Sequence, residues 1–223
     1  MRGVLLALAL VAYNNFRPEL GGLAYVAANL SVVAVLVAIA LGPLGLTLED
    51  IGFTGNRFRG VVLTSAAALI LVAPLFLAAA FDSTARFVAD ERAAGLGTSN
   101  IVWQALVRIP LGTALAEEVA FRGVLFASLG DRRTWVAALV AGVAFGLWHI
   151  APTIDLVEIN FPGASARQTG VFVVGAVVAA TAAGLGFVWL RLRTGGIAAP
   201  FAFHAIVNSM ALVAAVVAHR RLG

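Results

Sequence analysis

The chain has 223 residues, of which 61% are hydrophobic and 12% are charged, and its mean hydropathy is +0.99. These values exclude an ordinary water-soluble domain and predict a polytopic integral membrane protein. The net charge of +4 comes from 15 arginines placed mostly between apolar blocks. Basic residues in such places orient spans and contact lipid, so we predict no nucleic-acid partner.

Seven apolar blocks predict an all-α fold, a polytopic transmembrane helix bundle of about seven spans with six to eight allowed. The blocks are residues 3–16, 23–46, 61–81, 101–129, 135–151, 169–190 and 197–218. The first and fifth are short for a full crossing, and residues 152–168 are predicted as a connector. No domain boundary is visible, so we predict a single integral membrane domain over residues 1–223.

The first block also has features of a signal peptide, since apolar residues follow Arg2. The sequence Tyr13-Asn14-Asn15 that ends it is a poor cleavage site, because signal peptidases require small residues. We therefore predict that residues 3–16 form a span.

The fourth block carries two adjacent acids, Glu117 and Glu118, followed by Arg122. A carboxylate at bilayer depth costs about 2.5–3.5 kcal/mol on insertion scales, so such groups indicate function by default. Glu118 and Arg122 are four residues apart and share a helix face, which predicts an ion pair. Glu117 points about 100° away and is left without a local partner. The structural alternative is a polar cluster that only holds helices together.

Two of the three histidines, His149 and His204, lie in or at the ends of other apolar blocks. Phe145 precedes His149 by one helical turn and is expected to wall the site. Asn208 follows His204 by one turn, so their side chains share a face. Two histidines, an acid pair and an amide on three helices predict one polar cavity inside the bundle.

These residues support two mechanisms of peptide hydrolysis. In one, His149 and His204 bind zinc or another divalent metal, and Glu117 or Glu118 serves as base or third ligand. In the other, Glu117 and His149 activate water directly, while His204 and Asn208 donate hydrogen bonds to the oxyanion. The chain has no cysteine, no lysine and no Gly-x-Ser-x-Gly segment, so a covalent nucleophile of those kinds is excluded. It also has no His-Glu-x-x-His motif.

The ordered set of three motifs resembles the CPBP family, the membrane proteases related to type II CAAX prenyl endopeptidases and to bacteriocin-processing or Abi proteins. The motifs are Glu117-Glu118-x-x-x-Arg122, Phe145-x-x-x-His149 and His204-x-x-x-Asn208, with residues 169–190 as the helix between the second and third. The resemblance covers residues 101–218, which we predict to be the catalytic core.

By this resemblance the catalytic residues are Glu117, His149, His204 and Asn208, supported by Glu118, Arg122 and Phe145, with His149 and His204 as the metal ligands if a metal is used. The implied function is an intramembrane endopeptidase, or metalloendopeptidase, acting on a membrane-associated protein or peptide in a prokaryotic cell membrane. The resemblance does not imply that the substrate is prenylated.

Two alternative functions belong to other classes. One is a non-catalytic membrane interaction protein or bacteriocin-immunity protein that retains the protease fold. The other is a proton- or ion-coupled carrier that uses the same buried charges. The carrier is disfavoured because the sequence shows no inverted repeat.

Overall fold

The computed structural model describes residues 2–16, 20–130 and 133–223, and these ranges consist of helices joined by turns. The all-α prediction is confirmed. Two short elements, α4 (Asp82–Ala85) and a 3-10 turn (Glu91–Ala93), lie between the third and fifth helices. The long helices are α1 (Arg2–Phe16), α2 (Gly22–Leu41), α3 (Phe58–Ala79), α5 (residues 98–128), α6 (Thr134–Trp148), α7 (Ile150–Asn160), α8 (Ala166–Thr194) and α9 (Ala198–Leu222).

Five helical stretches of the described chain are long and apolar enough to cross a membrane. Four of them are the single helices α2, α3, α8 and α9, and the fifth is the stretch formed by α6 and α7. Helix α1 is a shorter apolar helix. The outer face of α3 presents Leu63, Ile70 and Leu77, which are 61%, 74% and 64% exposed. Large apolar side chains on the outside of a bundle are stable in lipid and costly in water. The chain is therefore an integral membrane protein.

Two of the boundaries that differ from the sequence prediction lie at prolines. Residues 152–160 are helical, although the connector was expected to begin at Pro152. Pro152 is the third residue of α7, where the missing N–H has no intrahelical partner in any case. The second helix ends at Leu41 and not at Leu46, because Gly42 and Pro43 form the turn that stops it.

The helix α5 lies at the centre of the bundle. It packs against α2, α9, α6 and α1. Every residue from Glu117 to Leu125 is buried, and the main hydrophobic cluster surrounds this stretch with residues of α1, α2, α6 and α8. The acid pair thus sits on the most enclosed helix of the protein.

The loop between α2 and α3 folds over the turn between α8 and α9. The carbonyl oxygen of Gly52 accepts a hydrogen bond from the N–H of Ile197 at 2.9 Å, and Asn56 Oδ1 accepts one from the N–H of Ala198 at 2.9 Å. Gly52 has φ +77°, a left-handed conformation that favours glycine. These bonds satisfy backbone donors at the start of α9. The loop therefore fixes the helix that carries His204.

Arg191 joins the same loop to the central helix. Its guanidinium donates to the carbonyl oxygens of Asp50 and Gly123 and lies over the ring of Phe126. The Asp50 carboxylate itself accepts hydrogen bonds from the backbone and side chain of Thr47, and these bonds hold the pKa of Asp50 below its ordinary value. Arg191 of α8 thereby connects the loop between α2 and α3 to α5 at one end of the bundle.

Helices α6 and α8 approach closely through glycines. A Cβ added at Gly142 would lie 3.1 Å from Leu185 Cδ2, and one added at Gly184 would lie 3.0 Å from Gly142 Cα. A Cβ at Gly146 would collide with Thr181 Oγ1 and lie 2.6 Å from the carbonyl oxygen of Val177. Small residues allow this kind of close backbone contact between membrane helices.

Replacing Gly146 with Ala should force α6 and α8 apart and lower the free energy of unfolding by about 1–3 kcal/mol. Gly175→Ala on α8 is the matched control, because nothing lies within 4 Å of a Cβ at that position. Thermal unfolding of both variants in detergent measures the difference. Equal midpoints for the two variants would show that the glycine contact does not limit packing.

Candidate active site

The acid pair lies where the central helix changes its hydrogen-bonding pattern. Within α5, the segments Gln104–Ala114 and Glu118–Leu125 are π-helical, and Leu115–Glu117 between them is α-helical. Short π-helical turns are rare and occur frequently at functional sites. Glu117 is 6% exposed and Glu118 is fully buried. The carboxylates therefore depend on neighbouring side chains for their solvation.

One carboxylate oxygen of Glu118 contacts both Arg122 and His204. Its Oε1 accepts a hydrogen bond from Arg122 Nη1 at 3.1 Å and lies 2.9 Å from His204 Nδ1. The predicted pair of Glu118 with Arg122 is thus present, and His204 of α9 is added to it. An ionised carboxylate can only accept, so in this arrangement His204 Nδ1 carries the hydrogen.

Aromatic rings enclose the Arg122 guanidinium. Its Cζ lies 4.0 Å from the ring centre of Phe145 and 4.7 Å from that of Phe187. The Phe187 ring also stacks on the His204 ring at 5.2 Å. Cation–π contact is strongest where the cation is desolvated. Arg122 is 1% exposed, so it is held by rings on both α6 and α8 as well as by Glu118.

Glu117 has a partner that the sequence analysis did not identify. The indole Nε1 of Trp148 donates to Glu117 Oε1 at 3.1 Å. The second oxygen, Oε2, makes no hydrogen bond to any residue that the structure describes, and it lies 3.7 Å from His204 Nε2. One carboxylate oxygen is thus fixed and the other is available to a further donor.

His204 brings the two acids together. The 100° angle between Glu117 and Glu118 suggested separate surroundings, yet each carboxylate faces one nitrogen of the same imidazole. The two ring nitrogens lie on different edges, so one ring can face two carboxylates that diverge from a single helix. With Arg122, the cluster of four ionisable groups is electrically neutral when His204 carries a second proton.

Phe145 of α6 and His149, the residue directly after α6, lie close together. His149 is half-buried, and its Nδ1 lies 2.7 Å from the carbonyl oxygen of Phe145, so Nε2 is the ring nitrogen left for another partner. The Phe145 ring centre lies 4.7 Å from the ring centre of His149 and 6.1 Å from that of His204. The Phe145 side chain therefore lies near both imidazoles.

Asn208 lies one turn after His204 on α9 and is half-buried. Its amide makes no hydrogen bond to the described part of the chain. The neighbouring Ser209 points to another helix, where its hydroxyl donates to the carbonyl oxygen of Ala105 at 2.7 Å. The Asn208 amide is thus free to bond to a ligand.

Two residues of this site, Trp148 and Phe187, are not predicted from the sequence. Trp148 adjoins His149 and follows Phe145 by three positions, so the helical period places it near the same face. Phe187 lies in α8, which the sequence predicts only as the helix between the second and third motifs. An aromatic side chain in an apolar span carries no distinct signal, which is why only the three-dimensional packing identifies it.

The residues do not group as a metal centre. Among the residues that the structure describes, no set of three or more His, Asp or Glu side chains is arranged to hold a metal ion. One ring nitrogen of His204 is engaged by Glu118, and one of His149 by the Phe145 carbonyl oxygen. A protein zinc site requires at least three such ligands. The described side chains therefore offer fewer metal ligands than a protein zinc site requires.

Comparison with known proteins gives one family. The model described as "Type II CAAX prenyl endopeptidase Rce1-like" matches residues 98–210, which is half of the chain. The match includes the acid pair, both intramembrane histidines and Asn208. Searches of curated proteins and of solved structures return no match to the chain.

The two acids should differ in their effect on stability. Glu118→Gln leaves the buried Arg122 charge without its counter-charge, and loss of one partner of a buried pair costs about 3–5 kcal/mol. Glu117→Gln retains an oxygen that can accept from the Trp148 indole, so we expect a loss below about 1 kcal/mol. Unfolding of both variants in detergent compares them, and equal losses would show that Glu118 does not anchor the cluster.

Proposed function

Because the chain belongs to the Rce1-like type II CAAX prenyl endopeptidase family, we propose that it is an intramembrane endopeptidase that hydrolyses peptide bonds of membrane-associated proteins. Water activated by Glu117 is the nucleophile in this proposal. The observation that supports it most is Glu117 itself, a buried carboxylate with one oxygen fixed by Trp148 and the other unbonded beside His204.

In the first step, Glu117 Oε2 accepts a proton from a water molecule while the water oxygen attacks the scissile carbonyl carbon. His149 contributes its Nε2 as a hydrogen-bond partner that orients the water. The hydrogen bond from Trp148 keeps Oε1 in place, so the acid presents the same oxygen throughout. Positioned general bases of this kind contribute about 10²- to 10⁴-fold to rate.

In the second step, the tetrahedral intermediate carries negative charge on the former carbonyl oxygen. His204 Nε2 and the Asn208 amide donate hydrogen bonds to this oxyanion. Collapse of the intermediate breaks the carbon–nitrogen bond, and Glu117 returns the proton to the leaving amine. The products are a carboxylic acid and an amine, which exchange a proton to become a carboxylate and an ammonium group, and the site regains its starting protonation.

Glu118 and Arg122 act by positioning in this scheme. Glu118 holds His204 Nδ1 in its hydrogen-bonded state, so a donor at Nε2 requires the imidazolium form of His204. Arg122 offsets the charge of Glu118 through its hydrogen bond and through the rings of Phe145 and Phe187. The pair therefore holds the ring of the oxyanion donor in place.

Replacing Glu117 with Gln should reduce cleavage of a membrane-anchored reporter by at least about 10²-fold in reconstituted liposomes, because the amide cannot accept the water proton. Glu158→Gln is the matched control, since Glu158 is an exposed acid on α7. Reporters with and without a prenyl group identify the substrate class. Full cleavage by the Glu117 variant would overturn the proposal, and binding of the reporter without cleavage by the wild type would favour the interaction-protein alternative.

The metal-bound alternative makes a different prediction. If zinc or another divalent ion binds His149 and His204, a chelator should abolish cleavage and added metal should restore it. Direct activation by Glu117 predicts unchanged cleavage after treatment with 1,10-phenanthroline and EDTA. Loss and recovery of activity would assign the water to a metal, with the acids as base and third ligand.

A further inference from the structure

Helix α6, which carries Phe145 and Trp148, is separated from α7 by a break at His149. Helix α6 ends at Trp148 and α7 begins at Ile150, with His149 at φ −89° and ψ 6° between them. A break in a membrane helix leaves backbone groups without their intrahelical partners, and lipid cannot satisfy them. The groups around this break must bond to another part of the protein.

Two adjacent asparagines at the end of α1 supply those bonds. Asn14 Nδ2 donates to the carbonyl oxygen of Trp148 at 2.7 Å, and Asn15 Nδ2 donates to that of Leu147 at 3.0 Å. Asn15 Oδ1 accepts from the N–H of Ala151 at 2.8 Å. The two amides thus bond to backbone on both sides of the break. Asn14 is 5% exposed, which makes its bond to Trp148 a buried one.

The Trp148 side chain at the same break reaches the proposed reaction site. Trp148 Nε1 donates to Glu117 Oε1 at 3.1 Å, and His149 follows it directly. The ring of Tyr13, beside the asparagines, lies 6.1 Å from the Trp148 ring centre. The backbone of residues 147–151 is therefore held from α1, while the Trp148 side chain contacts the acid on α5.

We propose that Asn14 and Asn15 are positioning residues, through which α1 sets the placement of Trp148 and His149 relative to Glu117. This inference rests on the proposed protease function. The helix α1 lies outside the matched residues 98–210, so the role belongs to a part of the chain that the family match does not cover. The asparagines contact neither water nor substrate in this scheme and act only through the break.

Kinetics in liposomes test the role. Asn14→Ala and Asn15→Ala should each lower kcat by about 10- to 100-fold, because small misplacements of reacting groups cost rates of this size. KM should stay within twofold, since the substrate contacts are unchanged. Asn29→Ala is the matched control, because Asn29 is also a buried amide but donates to Tyr25 within its own helix α2. Asn15→Asp keeps the acceptor for Ala151 and loses the donor, so its kcat should fall between those of wild type and Asn15→Ala.

A double-mutant cycle separates positioning from general stability. If Asn14 acts through Trp148, the Asn14→Ala effect on kcat should shrink by at least fivefold when Trp148 is already Phe. If the two substitutions act independently, for example through general stability, their fold reductions in kcat should multiply instead. Multiplicative loss, or wild-type kcat in both asparagine variants while Glu117→Gln is inactive, would overturn the positioning role and leave the protease function standing.

A spectroscopic readout decides the inference if no cleavage is found. In protein labelled with 5-fluorotryptophan, the ¹⁹F resonance of Trp148 is assigned by its loss in Trp148→Phe. Asn14→Ala, Asn15→Ala and Glu117→Gln should each shift that resonance, while those of Trp103, Trp135 and Trp189 stay in place. Asn29→Ala should shift none of them. An unmoved Trp148 resonance in both asparagine variants would overturn the inference whether or not the protein is a protease.

Discussion

The structure depends on solvating two carboxylates inside an apolar bundle. Glu117 and Glu118 are buried side by side on the central helix, where lipid offers no hydrogen bonds. Arg122, His204 and Trp148 supply the donors, and they come from three different helices. The positions of α6 and α9 relative to α5 are therefore set as much by these polar contacts as by apolar packing, because the hydrophobic driving force that operates in water is absent between helices in a membrane.

The close glycine contact between α6 and α8 serves the same arrangement. It brings both Phe145 and Phe187 against the Arg122 guanidinium, so that the charge is covered by rings and not by lipid. A bulkier contact at this level would open a gap at the cation. The close packing of small residues between α6 and α8 is thus what allows the large charged side chain of Arg122 to be buried.

The sequence predicts the helical class, most span positions and the Glu118 pair, because those depend on hydropathy and on spacing within one helix. It predicts that Glu117, His149, His204 and Asn208 are candidates, since polar residues in apolar spans are costly. It cannot show that His204 bridges both acids or that Trp148 bonds to Glu117, because these depend on the relative rotation of separate helices. The extension of α7 through Pro152 was missed because a proline in a first helical turn looks the same in sequence as a proline in a loop.

The contacts that fix the site join distant parts of the chain. Asn56 caps α9 across 142 positions, Arg191 bonds to the Asp50 carbonyl across 141, and Asn14 bonds to the Trp148 carbonyl across 134. Contacts of such sequence separation form late, since the intervening chain must first be made and closed into a loop. During synthesis, the earlier helices are therefore in the membrane before α9 is made. A nascent chain without α9 lacks His204 and cannot form the cluster of the two acids, Arg122 and His204. The order of translation itself keeps an unfinished molecule from having a complete site.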